Sequence, residues 1–482
     1  MGFLTIPELN TRQGTLRAYH LTAIVFISSF LSAYDSGIAG GILTYQSFQD
    51  DFRFTAAHKS KVSSLTVGLE QLGSFVAAML VYPLTNKYGR KLCIIGSTAL
   101  FVIGVIIQVN KTHSLGAWYV GRIISGLGMG GQSVGVAQNP SIAGTSREWQ
   151  IPVALQLISG GILLIATLTL PESIRWLLTQ NRTDDAWKAI TWVRGGDTPK
   201  TREEFTETQL GLQAEQAERE NFSYRELLEP ANRLRFIVGP VLFIFQNATG
   251  SSALAVFAPQ YFKLIAGNDE NRNMLLTGLF GAVKVIACTF FIWVLAERIG
   301  RRMTLVSGSA LMAICMLITA LIVDFVPTQS STNVTSAGKA TVAMIFLDIM
   351  IYNCSWGPLP WAYVPEIFPT RIRALGLAVS MLAHWASSFC FSFASPYMIQ
   401  NVGANTFLIF MGFDVLGTVF CWFFVKETRG KNLEVAAGTE WEAAERSSSD
   451  DGEKGTVLGQ DGKKVQLVSV HENFHANIKQ RS

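Results

Sequence analysis

The sequence predicts an all-α membrane protein built from two groups of transmembrane helices. Three observations point there. Of the 482 residues, 49% are hydrophobic and only 15% charged, against about 25% charged in soluble domains. Apolar windows of roughly the 20 residues that cross a bilayer recur along the chain, and 42 glycines suit helices packed in lipid. A charged stretch at 172–233 divides these windows into groups of five and six.

Taken in order, residues 1–18 form a short polar leader, and the first bundle spans 19–171 with windows at 20–42, 62–84, 91–109, 117–137 and 151–171. The stretch 172–233, rich in Glu, Gln, Lys and Arg, reads as a linker of short surface helices. The second bundle spans 234–429, with windows at 234–264, 273–296, 303–325, 340–363, 373–398 and 404–426. Residues 430–482 are polar and poor in aromatics, the composition of a disordered tail.

Basic residues fix the orientation, because Lys and Arg gather in cytoplasmic loops. They cluster after the second window (Lys87, Arg90, Lys91), in the linker, after the seventh (Arg298, Arg301, Arg302), after the ninth (Arg371, Arg373) and at the end (Lys426, Arg429, Lys431). Both termini and the linker are then cytoplasmic. The sequons Asn110-Lys-Thr112 and Asn333-Val-Thr335 fall in outer loops. The alternation fails once: a cytoplasmic start and a cytoplasmic linker need an even number of crossings, and the first group has five.

The segment Trp118–Gln132 carries Arg122 inside an apolar run. A guanidinium at membrane depth is costly, so it should face protein or a water-filled cavity and have an acidic partner. Gly126, Gly130 and the Ser125–Met129 spacing give a small-xxx-small face for close helix contact. Asp35, in the first window, is the expected partner. A carboxylate beside a cation in a cavity is a workable proton site, with a static ion pair as the plainer reading. Glu70, in the second window, is a second proton site or a partner for Lys284, another intramembrane charge.

Composition also excludes. The net charge of +4 is spread in short clusters beside apolar runs and indicates no nucleic-acid partner. The six cysteines lie within apolar segments without metal-ligand spacing and read as packing residues. No phosphate loop, metal cluster or nucleophile–base pair stands out, so neither an enzyme nor a cofactor is expected.

Asn86-Lys-Tyr-Gly-Arg-Lys91 and Glu297-Arg-Ile-Gly-Arg-Arg302 follow the second helix of each group. Two such turns in matching places imply a duplicated helical unit, as in transporters with parallel halves. With Ala33-Tyr-Asp-Ser-Gly-Ile-Ala-Gly-Gly41, Tyr119-Val-Gly-Arg-Ile-Ile-Ser-Gly-Leu-Gly128, Pro171-Glu-Ser-Ile-Arg175, Phe245-Gln-Asn-Ala-Thr-Gly250, Pro365-Glu-Ile-Phe-Pro-Thr-Arg371 and Lys426-Glu-Thr-Arg-Gly430, the chain resembles the sugar porter family of the major facilitator superfamily. The resemblance covers about residues 20–434 and leans toward the fungal hexose and quinate permease-like members.

The resemblance implies a major facilitator fold, two helix bundles around a central cavity working by alternating access, in the plasma membrane. It implies proton coupling at Asp35 and Arg122, and solute contacts at Gln246, Asn247, Ser252, Trp361, His384 and Ser388. Amides suit solute hydroxyls because each both donates and accepts. His384 and Ser388 stand where a glutamine and an asparagine are common, which weakens a glucose assignment and leaves an acidic solute such as quinate or a sugar acid open. The resemblance further implies gating salt bridges between the bundles among Arg90, Glu172, Arg175, Arg301, Glu366, Arg371, Glu427 and Arg429.

The chain departs from the family after Gln138, where Ser141-Ile-Ala-Gly-Thr-Ser-Arg-Glu-Trp-Gln-Ile-Pro152 resembles the outer loop before the sixth helix. A fifth helix is missing near 138–150, giving eleven predicted transmembrane helices instead of twelve and accounting for the failed parity. The expected function is secondary transport of a sugar, polyol or quinate-like solute with protons across the lipid bilayer. A non-transporting nutrient sensor and an inactive truncated product are the alternatives.

Overall fold

The computed structural model describes residues 12–43, 46–54, 58–110, 114–128, 147–220, 229–267, 270–295, 299–326 and 335–428, and all their regular structure is helical. The first half contains α1 (Arg12–Ile42), the short α2 (Gln46–Asp51), α3 (Lys59–Tyr88), α4 (Arg90–Val109), α5 (Leu115–Gly128) and α6 (Arg147–Leu168). Three helices follow in the linker: α7 (Ile174–Thr179), α8 (Thr183–Arg194) and α9 (Pro199–Glu220). The second half contains α10 (Pro230–Ala248), α11 (Ser251–Val256), α12 (Ala258–Ala266), α13 (Glu270–Phe290), α14 (Arg301–Phe325), α15 (Ser336–Asn353), α16 (Leu359–Ile367), α17 (Thr370–Asn401) and α18 (Thr406–Phe424).

Among the described residues α4, α14, most of α17 and α18 are each long and apolar enough to cross a membrane. Their outward surfaces are apolar, as the exposure of Phe325, Val419 and Phe423 shows. On α6 the exposed Ile158, Ile162 and Ile165 form one stripe at helical spacing. In water such a surface is a liability; against lipid tails it is the favourable one.

Glycines set the packing of α5 between α3 and α4. A Cβ on Gly126 would stand 2.2 Å from the backbone oxygen of Glu70 on α3, and one on Gly104 of α4 would stand 2.3 Å from the nitrogen of Ser125. Backbone-to-backbone approach of this kind is open to small residues only. Ser74 Oγ then donates to Gly126 O at 3.1 Å, and Gln108 Nε2 to Ser125 Oγ at 3.1 Å. The expected partners further along, Met129 and Gly130, and the junction 138–146 lie outside the described residues, as does the tail from 430 onward.

Two expected boundaries move. The leader expected over 1–18 is helical from Arg12, because Arg17 donates to the carbonyl of Trp192 on α8 at 2.6 Å and stacks over its ring at 5.0 Å. The window at 234–264 is three helices, since Gly250 adopts φ +78° and breaks the helix between α10 and α11. A Cβ there would strike the ring of Phe410 on α18, so both conformation and space demand glycine.

The halves touch chiefly where α3 meets α17, with Gly68 against Phe389 and Phe393. Gln71 and Ser388 bond across the same contact at 3.0 Å. The linker helices carry a small core of their own, with Leu177, Leu178, Ala186, Ala189 and Leu212 buried together.

Candidate functional site

Arg122 sits on α5, 1% exposed, between α1 and α3. Its Nε donates to the carbonyl of Thr66 at 2.9 Å, and its Nη1 donates to Asp35 Oδ1 at 2.7 Å. Its Nη2 is paired with Glu70. Glu70 therefore partners Arg122 and not Lys284, which has no carboxylate partner among the described residues. α3 brings Glu70 onto α5 at the same glycine contact that lets the backbones touch.

A residue the sequence reading did not single out completes the cluster. Gln156 on α6, fully buried, donates Nε2 to the same Asp35 Oδ1 at 2.9 Å. Asp35 Oδ2 is buried without a hydrogen-bond partner among the described residues. Two carboxylates thus face one guanidinium in a buried cluster, leaving one negative charge in excess. An uncompensated buried charge costs several kcal/mol, and a single proton on either carboxyl removes it.

The second half holds the residues expected against solute. Gln246 Nε2 donates to the carbonyls of Trp356 at 2.8 Å and Gly357 at 2.9 Å, while its Oε1 is buried and unpartnered among the described residues. The Asn247 amide turns into α17, donating to Ser387 Oγ at 3.0 Å and meeting His384 Nδ1 at 3.3 Å. The same nitrogen also lies 3.1 Å from the carbonyl oxygen of Phe243 and 3.2 Å from that of His384, more acceptors than its two hydrogens can serve. Trp361, 46% exposed, stands edge-on to His384 and Phe243 with ring centres 5.1 and 5.2 Å away.

Ser252 and Ser388 are already engaged. Ser252 Oγ lies 3.2 Å from the hydroxyl of Tyr352, a further residue the sequence reading missed, and Ser388 donates to Gln71. Neither amide oxygen of this pair accepts a hydrogen bond among the described residues.

At the basic ends of the helices the carboxylates bind backbone N–H groups. Glu172 Oε1 accepts from the backbone N–H of Arg90 at 2.9 Å and of Lys91 at 3.0 Å, at the start of α4. Glu427 repeats this at the start of α14, accepting from the N–H of Arg301 at 2.8 Å and of Arg302 at 3.2 Å. Both satisfy orphan helix donors at the positive end of the dipole. Gly89 and Gly300 make room, since a Cβ on either would meet its carboxylate. Glu366 pairs with Arg301 at 3.4 Å and accepts from Thr428 at 2.5 Å. These contacts stay within their own halves. Arg90 and Arg175 are exposed. The side chain of Arg371 and the whole of Arg429 lie outside the described residues.

The chain matches the family described as "Sugar (and other) transporter" in two stretches, 21–138 and 138–438. The chain belongs to that family. It is a membrane transporter and not an enzyme. Among curated relatives it is 29% identical over 468 residues to a probable quinate permease of Aspergillus fumigatus, covering 87% of this chain and 86% of that one. It is 28% identical over 466 residues to the quinate permease of Emericella nidulans, covering 87% of each. Among solved structures it superposes on the proton:xylose symporter XylE bound to 6-bromo-6-deoxy-D-glucose with a TM-score of 0.68 at 20% identity, covering 89% of this chain and 99% of that one. The inward-open xylose transporter XylE from E. coli gives 0.67 at 19%, covering 88% and 99%. At that identity the likeness carries the major facilitator fold.

Proposed function

We propose that this family member is a proton-coupled symporter of a polyhydroxylated solute, a sugar or a quinate-like acid, working by alternating access in the plasma membrane with its basic loops cytoplasmic. The observation that carries the coupling is Asp35 Oδ1 held by both Arg122 and Gln156 while Glu70 competes for the same guanidinium. One proton decides whether that cluster is charged, and the four helices it joins, α1, α3, α5 and α6, belong to the half that must rock against the other. Solute binding falls to Gln246, Asn247, Trp361 and His384. Glu172, Glu366 and Glu427 hold the cytoplasmic helix ends, and their release accompanies opening of the inner gate. Uptake into proteoliposomes, with and without an imposed proton gradient, over hexoses, polyols and quinate, tests this. Gradient-independent uptake of every solute counts against coupling.

A second reading rests on the family match itself. Its two stretches meet at residue 138, where the sequence departs from the family pattern. The alignment with the Aspergillus fumigatus protein spans 468 positions but uses 87% of this 482-residue chain, a deficit of about fifty positions, the size of a helix of about 20 residues with its loops. These support the loss of one span from the first bundle, and with it an inactive product. Sequencing the transcript across codons 135–145 separates a processing omission from a chain that is made this way.

A further inference from the structure

The first turn of α4, the end of α6 and the linker helices α7 and α8 line a cavity of about 430 Å³. That is within the range of small-molecule sites, about 300–1,000 Å³. None of the residues placed against solute, and none of the Arg122 cluster, lines it.

Three cations, Lys91, Arg182 and Lys188, and two carboxylates, Glu172 and Asp185, face this space. Both carboxylates are already engaged. Glu172 is occupied by the backbone N–H groups of Arg90, Lys91 and Ser173. Asp185 serves two cations at once, accepting from Arg182 Nη2 at 2.8 Å and from Lys188 Nζ at 3.3 Å. The side chains of Arg182 and Lys188 are 55% and 76% exposed. Lys91 Nζ donates to the carbonyl of Leu168 at 2.9 Å, in the last turn of α6, and has no carboxylate partner among the described residues. The wall is therefore positive, and its cations keep N–H donors for an incoming anion.

Much of the remaining lining is apolar, with Leu168, Leu170 and Leu177. Leu168 is exposed and continues the outward stripe of Ile158, Ile162 and Ile165 along α6. Trp192 adds an aromatic ring, held by Arg17 through its carbonyl and its face. Basic side chains and tryptophan beside the end of an apolar helix mark the boundary between bilayer and water. A soluble anion would use the cations and leave the apolar wall wet. A phospholipid uses both, because its tails leave the cavity along the α6 stripe.

We propose that this cavity binds the headgroup of an anionic phospholipid, a phosphatidylinositol phosphate. Lys91, beside the end of α6, takes the phosphodiester nearest the bilayer. Arg182 and Lys188, on the linker side, take the terminal phosphate in place of their shared Asp185, since phosphate oxygens accept strong charge-assisted hydrogen bonds from both side chains. The bound lipid ties α4, α6 and α8 together at the membrane surface. The site needs neither the solute nor the proton reading to hold.

Native mass spectrometry of the delipidated full chain, titrated with phosphatidylinositol phosphate and with phosphatidylcholine, measures the affinity directly. The wild type should hold the phosphoinositide about tenfold or more tightly than phosphatidylcholine. Lys91→Gln, Arg182→Gln and Lys188→Gln should each lower that affinity by about fivefold. Arg202→Gln, on α9 and outside the cavity, should leave it unchanged. Asp185→Asn releases Arg182 and Lys188 from their carboxylate and should raise the affinity, a gain that misfolding cannot produce. Equal affinity for the two lipids overturns the proposal. So does an equal loss in Arg202→Gln, which would mark diffuse attraction, or the absence of a gain in Asp185→Asn. The water-soluble glycerophosphoinositol phosphate separates a lipid from a free phosphate ester. Binding as tight as that of the lipid overturns the lipid assignment, and much weaker binding supports it.

Discussion

Gln156 Nε2 and Asp35 Oδ1 lie 2.9 Å apart, tying α6 to α1 through the same carboxylate oxygen that Arg122 holds. The glutamine is fully buried, so its amide has no water to fall back on. A buried hydrogen bond to a charged group is worth about 1.5–3 kcal/mol. Gln156→Leu should therefore lower the melting temperature while leaving the Asp35–Arg122 pair in place. An unchanged melting curve would remove Gln156 from the cluster.

Asp35→Asn removes the charge and keeps the shape. Accumulation of solute against its gradient should be lost, while exchange of labelled for unlabelled solute continues, because exchange needs no net proton movement. Uphill uptake by this variant would assign coupling elsewhere. Glu70→Gln leaves Arg122 with a single carboxylate and should retain a measurable fraction of uphill transport.

Gly126→Ala tests the close contact of α5 with α3. Its Cβ would stand 2.2 Å from a backbone oxygen, whereas a Cβ on Gly161 of α6 meets nothing within 4 Å. Overpacking of this kind costs typically about 1–3 kcal/mol. Gly161→Ala should be neutral or favourable by up to about 1 kcal/mol through helix propensity. Melting temperatures of the two variants, measured side by side, should diverge in opposite directions.

In the linker Arg202 holds Asp197 by two parallel hydrogen bonds of 2.7 Å, and the guanidinium keeps the Asp197 carboxyl below its usual range. A lowered folded value means the contribution is present above about pH 4, where the unfolded carboxyl is already ionised, and fades as pH falls through the folded value. The pair is exposed, so the effect is local. The hydrogen-exchange protection factor of the first turn of α9, taken against the intrinsic rate at each pH, should fall below about pH 4 in the wild type. In Asp197→Asn it should be low at every pH.

The pairing of Asp35 with Arg122 was legible because a charge inside an apolar run has few possible partners. Gln156 escaped notice because a neutral amide in an apolar window carries no such alarm. That Glu172 and Glu427 bind backbone N–H groups was not legible, because the resemblance implies side-chain bridges, while the glycine turns deliver backbone donors. Gly250 held the clue to the broken helix, since hydropathy windows average over a left-handed residue.

His384 offers a test of an acidic against a neutral solute. Its Nδ1 lies 3.3 Å from the Asn247 amide nitrogen, and Trp361 stands beside the ring. An imidazole N–H suits a carboxylate and adds little for a hydroxyl, which both donates and accepts. If quinate-like acids are the substrate, unlabelled quinate should compete with labelled solute in the wild type. His384→Phe should then weaken that competition by about tenfold or more, the loss of one charge-assisted hydrogen bond of about 1.5–3 kcal/mol. Competition by hexoses should be unchanged in the same variant. Inhibition by hexoses alone, with quinate and sugar acids inert in the wild type, would assign the protein to neutral sugars and return His384 to packing.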